Sequence, residues 1–187
     1  MKKIYLLLSL AFIAVGAIAE LDLPKAPDGY KWIKILNDKS ALLQPDGWFY
    51  REDHLKNTDA YFVSKEDIGT QGKFSTGLSL NVLYTIDERK GVPPSEYAQS
   101  AIKRIQESNT AEVVKSSTDK AGGFVRMMGK VRIKHPEGAV FNHYLYLAND
   151  QTGTLWCYVF ESPEEEWDNA WEIGTTMMKL IVVDSDI

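Results

Sequence analysis

The chain has 187 residues, with 21 Lys and Arg side chains against 26 Asp and Glu, for a formal charge of −5 at neutral pH. Nucleic acid and anionic membranes repel such an acidic protein, so neither is expected as its main partner. The single cysteine, Cys157, excludes an intrachain disulfide framework and a zinc site built from several thiolates.

The N-terminus has the three-part layout of a secretory signal peptide. A basic Lys2-Lys3 pair precedes an apolar run over residues 4–18, and Ala17-Ile18-Ala19 precedes the acidic Glu20. A membrane-spanning helix needs roughly 20 apolar residues, which is more than this run provides. We therefore predict cleavage after Ala19, a periplasmic or secreted protein, and no stable membrane anchor after cleavage.

The chain is accordingly predicted to have three parts. These are a signal peptide over residues 1–19, a Pro-rich, mobile lead-in over residues 20–29, and a single domain over residues 30–187. Removing the leader takes away two basic residues and no acidic one, which leaves a charge of −7. The remaining chain is long enough to bury a stable core without disulfides.

Several strands and one long helix are predicted in the first half of the domain. Apolar or alternating runs bounded by turn residues predict the strands over residues 30–36, 40–44, 48–50, 61–64 and 78–84. His54 lies in a polar segment between two of these strands and is assigned to a loop. A helix follows Ser95, and its inward face carries apolar residues from Tyr97 to Ile105.

Further strands are predicted to complete the sheet. The Val113-Val114 patch indicates a small edge strand, and residues 125–134 and 140–148 form the next two strands. Residues 155–160 are apolar at every position, which is typical of a central strand covered on both faces.

A change of periodicity marks the last helix. Its apolar stripe at helical spacing comprises Trp167, Ala170, Trp171, Gly174, Met177, Met178 and Ile181. Ser162, Pro163 and Glu165 precede the stripe with the residue types of a capping box. A stripe that carries two Trp and two Met is expected to lie against a sheet.

Runs of adjacent strands separated by two long helices indicate an α+β protein, an αβα sandwich with a mainly antiparallel sheet of about six to seven strands. Residues 40–48 (SALLQPDGW) resemble a strand and Pro-x-Gly-Trp turn found in the PsbP-like family, and residues 160–167 (FESPEEEW) resemble the family's junction between strand and last helix. The family shares its αβα sandwich with the Mog-type nuclear import factors.

The resemblance implies a non-catalytic accessory or binding domain. The PsbP-like family includes photosystem accessory subunits, a Ran-binding protein and many exported bacterial domains of unknown role. Its motifs here are structural, so no functional residue is carried over from it. We expect an unidentified protein partner, no cofactor, and a monomer or weak self-association.

A cationic stripe is the best pointer to a partner surface. The side chains of Arg126, Lys130, Arg132 and Lys134 share one parity of a predicted strand in an acidic protein. They could receive a surface rich in carboxylates or phosphates. Alternatively, they are solvent-facing residues that protect a strand from aggregation.

Trp48 and Tyr50 are a second candidate. They share one parity beside the Asp46-Gly47 turn, so they could line a ligand groove, although aromatic residues in this half of the chain are also needed in the core. The alternative function is that of a carrier of a small apolar or amphipathic ligand between sheet and helix.

A thiol-dependent hydrolase is a remote alternative, with Cys157 as nucleophile and His143 as base. If residues 150–153 form a hairpin loop, Cys157 pairs with Tyr146 and His143 with Phe160, a separation of roughly 10 Å along the strand. The three histidines, His54, His135 and His143, do not have metal-ligand spacing, so no metal is expected.

Overall fold

The structure is a computed structural model that describes residues 11–14, 21–71 and 74–187. The predicted signal peptide lies outside this range except for residues 11–14. Its strands, in chain order, are β1 (Ala11–Ala14), β2 (Tyr30–Ile35), β3 (Ser40–Pro45), β4 (Phe49–Leu55), β5 (Thr58–Ser64), β6 (Gly77–Leu83), β7 (Ala111–Ala121), β8 (Phe124–His135), β9 (Gly138–Asn149), β10 (Thr154–Pro163) and β11 (Leu180–Val183). The helices are α1 (Ile68–Gln71), α2 (Ile86–Lys90), α3 (Pro94–Gln106) and α4 (Trp167–Lys179).

A seven-stranded antiparallel sheet forms the body of the molecule. Its order is β4-β5-β6-β10-β9-β8-β7, so β10 is the middle strand. Strands that are consecutive in the chain pair with each other, β5 and β6 across a connection that contains α1, except at one place, where β10 pairs with β6. The predicted α+β sandwich with a central apolar strand is confirmed.

A second sheet of four strands, in the order β1-β11-β3-β2, was not predicted. Its strand β11 contains Ile181, which the sequence pattern placed on the last helix. A short apolar run satisfies both helical and strand periodicity, so the pattern alone did not locate the end of the helix. Leu21 is buried against this sheet, beside Ala41 and Val182.

The two long helices cover opposite faces of the large sheet. Trp156, Tyr158 and Phe160 of β10 are fully buried in the core that includes α4 and the small sheet. Leu155 and Cys157 point to the other face, where they pack in the cluster that includes α3. None of the helices in the described ranges combines the length and hydropathy needed to cross a membrane.

The capping box predicted before α4 is wrong. Ser162 lies in β10, and its hydroxyl bonds to the backbone oxygen of Pro163 at 3.3 Å. A 3₁₀ turn at Glu164–Glu166 comes next, and the N-cap residue of α4 is Glu166, without a side-chain capping bond. The extra turn shifts the helix start beyond the residues that resemble a cap.

Two other local predictions are corrected. His54 lies in β4, because this strand continues to a two-residue turn at residues 56–57 that the charged sequence did not indicate. The edge strand predicted at Val113-Val114 is present but much longer: it is the eleven-residue β7, which lies at one end of the large sheet and has a bulge between Val113 and Lys115. Most of β7 is exposed, so its sequence lacks the apolar alternation that identifies a half-buried strand.

Candidate interaction surface

The predicted cationic residues lie on the face of β8 that α4 covers in part. In the pairing of β8 with β9, Lys130 is opposite His143 and Arg132 is opposite Phe141. The Lys130 Nζ lies 3.7 Å from the ring centre of Phe141 and 4.4 Å from that of Trp167, the first residue of α4. Strand β8 and the start of α4 therefore form one continuous surface.

Both arginines of this surface are paired with carboxylates. Arg126 bonds Asp119 on β7 through Nε at 2.7 Å and also through Nη2. Arg132 bonds Glu164, next to α4, through Nε at 2.7 Å and through Nη2 at 2.6 Å. These hydrogen bonds hold the pKa of Asp119 and of Glu164 below the usual values. Planar bidentate pairs of this kind fix the orientation of both side chains.

Lys130 is held by aromatic rings instead. Its ammonium lies over Phe141 and Trp167, whose rings are 5.3 Å apart, and the negative faces of these rings attract the cation. Partial burial lowers the pKa of Lys130, while Asp168 and Glu164 act in the opposite direction. Trp167 also stacks on Trp171 at 5.1 Å, with only 12° between the ring planes.

His143 adds a fourth ring to the group formed by Phe141, Trp167 and Trp171. Its ring lies 4.3 Å from that of Trp171. Burial, reinforced by the positive charges of Lys130 and Lys115, lowers the pKa of His143 from 6.5 to about 4. The imidazole is therefore neutral at physiological pH and leaves Lys130 as the cation of the cluster. We name Lys130, Phe141, His143, Trp167 and Trp171 the aromatic cluster.

Two exposed lysines border the aromatic cluster. Lys134 is exposed near the end of β8, and Lys115 on β7 lies opposite Lys130. The carboxylates that pair with the arginines were missed by sequence analysis because they are 7 and 32 residues away in the chain. The register of β7 against β8 could have revealed Asp119, but most of β7 was not predicted as a strand.

Trp48 and Tyr50 lie elsewhere, both half-buried against the main core. The Tyr50 hydroxyl donates to Glu52 Oε2 at 2.5 Å, and burial together with Glu52 raises the pKa of Tyr50. The backbone oxygen of Trp48 accepts a hydrogen bond from the side chain of Gln44. These contacts tie Tyr50 to its own strand, β4, and Trp48 to β3 of the small sheet.

A polar network that the sequence did not indicate adjoins Tyr50. His54 Nδ1 is 2.8 Å from Asp59 Oδ1, and the Tyr84 hydroxyl donates to Asp59 Oδ2 at 2.6 Å. His54 Nε2 is also 3.6 Å from a Glu52 oxygen. The network joins β4, β5 and the end of β6, so it stabilises the outer hairpin of the sheet.

Cys157 and His143 do not form a catalytic pair. The predicted register is confirmed, with Cys157 opposite Tyr146 and His143 opposite Phe160. Cys157 faces α3, whereas His143 faces α4, so the sheet separates the two side chains. Burial raises the pKa of Cys157 to about 12, which keeps the thiol protonated and weakly nucleophilic. No group of three or more His, Cys, Asp or Glu with metal-binding geometry occurs in the described part of the chain.

Sequence comparison finds no family model and no curated protein that matches this chain. Among solved structures it is similar to cyanobacterial PsbP from Synechocystis, at 14% identity and a TM-score of 0.54, over 91% of this chain and 97% of the other. It is also similar to the Ran-binding protein Mog1p from Saccharomyces cerevisiae, at 13% identity and a TM-score of 0.50, over 83% and 96% of the two chains. These likenesses establish the fold.

Proposed function

We propose that this chain, which has the fold of PsbP and Mog1p, is an exported, non-catalytic accessory domain that acts by binding a protein partner. The observation that carries the proposal is the aromatic cluster with a cation at its centre, bordered by exposed lysines. Mog1p is a Ran-binding protein, which supports a protein partner for this fold. The identity of the fold alone does not assign one.

The composition of the surface suits a protein partner. Aromatic residues and arginine are enriched where proteins meet. The side chains of Arg126, Lys130 and Arg132 are already held by neighbours, so binding would cost little of their conformational entropy. Lys115 and Lys134 remain exposed and would meet carboxylates of an acidic partner.

Site-specific crosslinking in the export compartment tests this proposal. A photoreactive residue would replace Lys134, and a matched control would replace Gln99, which is exposed on α3. We expect one protein adduct from position 134 and none from position 99. The double variant K115E/K134E should lose the adduct, while K103E/R104E on α3 should retain it. Equal adducts from both positions, or none from position 134, would refute the proposal that a protein partner binds this surface.

Export is tested separately by the mass of the protein recovered from that compartment. We expect a chain that starts at Glu20, with a mass equal to residues 20–187. Recovery of the full-length chain from the cytoplasm would overturn the signal-peptide assignment without affecting the binding surface.

A carrier function is favoured by one different observation. The Trp156 indole Nε1 and the Tyr158 hydroxyl are buried without a hydrogen-bond partner in the core under α4. Buried donors of this kind usually have partners, and the polar group of an amphipathic ligand would supply them. Native mass spectrometry of protein from the export compartment should then show a bound small molecule. That molecule should be lost in W156F/Y158F if the carrier function is correct.

A further inference from the structure

Strand β4 is one end of the seven-stranded sheet and pairs with β5 on one side. Helix α1 contacts β4, but among the described residues no strand pairs with its other side. An open edge offers backbone N–H and C=O groups to another strand. The question is which strand fits this one.

The hydrogen-bonding direction of β4 follows from its hairpin. Leu55 and Thr58 flank a two-residue turn and are paired. Residues that flank such a turn exchange hydrogen bonds, and the exchange recurs at every second pair of an antiparallel ladder. Residues 49, 51, 53 and 55 therefore direct their backbone groups toward β5. Tyr50, Glu52 and His54 direct theirs outward, to the open edge.

The sequence of β4, FYREDHL, is complementary to itself about Glu52. In an antiparallel pair of two copies centred there, Phe49 lies opposite Leu55 of the second copy. Arg51 lies opposite Asp53 of the second copy, and the same contacts recur on the other side of the twofold axis. The centre falls on a residue whose backbone groups point outward, as a hydrogen-bonded pair requires.

The side chains that would meet are available. Phe49 is 44% exposed and Leu55 is 69% exposed, and both are among the exposed large apolar residues of the described chain. Arg51 Nη2 is 3.0 Å from Asp53 Oδ1 within one strand, and both side chains are about half exposed. Pairing two copies would exchange the two ion pairs within strands, one in each copy, for two between strands.

We propose that the β4 edge binds the β4 edge of a second copy of this chain, which joins two large sheets into one continuous sheet across a twofold axis. Charged residues on a strand edge usually prevent such pairing because like charges meet. Here the charges of Arg51 and Asp53 are placed so that unlike charges meet instead.

One contact limits the strength of the dimer. The two Glu52 side chains lie opposite each other on the axis, where like charges oppose binding. Each carboxylate already accepts the Tyr50 hydroxyl and lies 3.6 Å from the His54 ring, which compensates part of the repulsion. We therefore expect a dimer that forms at high protein concentration. Strand β4 and the aromatic cluster lie toward opposite ends of the sheet order, so the two proposals are independent.

Mutations that reverse the charges of Arg51 and Asp53 test the dimer. Sedimentation equilibrium of the mature protein from about 10 µM to about 1 mM should show self-association. R51D places Asp opposite Asp53 and should weaken dimerisation about tenfold or more, and D53R should do the same with Arg. The double variant R51D/D53R restores unlike pairs and should recover dimerisation. R104D, the same change on the exposed face of α3, should have no effect.

A backbone variant provides a second measurement, in which loss of the two Glu52 charges alone would favour the dimer. E52P removes an outward N–H without removing a bond to β5, so it should abolish the dimer while leaving the far-UV circular dichroism unchanged. A wild-type protein that stays monomeric throughout the concentration range would overturn the proposal. So would a dimer that R51D/D53R does not recover, or that folded E52P still forms.

Discussion

At Gly174, helix α4 passes so close to β10 that no side chain fits. A Cβ atom at this position would lie 2.8 Å from Cδ1 and Cε1 of Phe160, whose ring is fully buried. We predict that G174A lowers the free energy of unfolding by about 1–3 kcal/mol, because overpacking outweighs the better helix propensity of Ala.

Urea denaturation measures this effect, with N169A on the exposed side of α4 as the control. The control should change stability by less than about 0.5 kcal/mol. If G174A proved as stable as wild type, the helix would not be packed against Phe160 as described.

Two half-buried groups with opposite pH dependence lie on the central strands. The pKa of His143 falls from 6.5 to about 4, and burial, with a smaller effect of Glu66, raises the pKa of Glu161 from 4.5 to about 6. Between pH 4 and 6.5 the unfolded chain binds a proton at His143 that the folded chain does not, so stability rises with pH. Between pH 4.5 and 6 the folded chain holds a proton at Glu161 that the unfolded chain has lost, so stability falls with pH.

We therefore predict that H143Q and E161Q change the pH dependence of stability in opposite directions. The stability advantage of wild type over H143Q should increase by roughly 2–3 kcal/mol from pH 4 to pH 6.5. Its advantage over E161Q should decrease from pH 4.5 to pH 6. Chemical denaturation at several pH values measures both, and parallel curves for the two variants would contradict the assignment.

At the scale of elements, β10 is protected by a helix on each side. Its Cys157 side chain is half-buried under α3 and burial raises the pKa of its thiol, so we predict that thiol reagents modify it slowly in the folded protein. The rate of labelling at pH 8 should be orders of magnitude below that of the unfolded protein. C157A/S117C, with its thiol on exposed β7, is the control and should react rapidly in the folded state. Rapid labelling of native wild type would contradict the burial.

Elements with one strong pattern were predicted well from the sequence. Strand β10 and helix α4 are recognisable because each buries a continuous set of large apolar residues. Strand β7 is exposed on most of its length, so the pairing with β8 that forms it leaves no apolar signal. The short strand β11 follows α4 directly. Its first apolar residues continue the helical stripe, so the sequence did not show where α4 ends and β11 begins.

The candidate surface was also predictable only in part. The shared parity of Arg126 and Lys130 was visible in the sequence, because strand periodicity fixes which side chains lie on one face. The bond from Arg132 to Glu164 and the position of Lys130 over Trp167 depend on how β8 meets the start of α4. Such contacts between distant segments are set by tertiary packing, which one sequence does not encode in its periodicity.

The stability of the whole molecule depends on the small sheet, because its strand β11 is part of the core. Ile181, Val182 and Val183 of β11 are almost completely buried, and each contributes about 1.5–3 kcal/mol of burial. We predict that deletion of residues 180–187 prevents folding, since this loss is comparable to the total stability of a domain. Deletion of residues 186–187 is the control and should leave a folded protein. Soluble yield and resistance to proteolysis distinguish the two, and a folded protein after the longer deletion would contradict the role of β11.

The pairing of β6 with β10 also bears on the order of the folding steps. Strands β4 to β6 form one local meander and strands β7 to β10 another, and in the large sheet the two meet along a single strand pair. Forming that pair requires closure of a long loop that contains α2, α3 and three strands, whereas the connections within each meander are much shorter. We expect the joining of the two meanders to be the slow step of folding. The amide protons bonded between β6 and β10 should accordingly be the last to gain protection from solvent exchange.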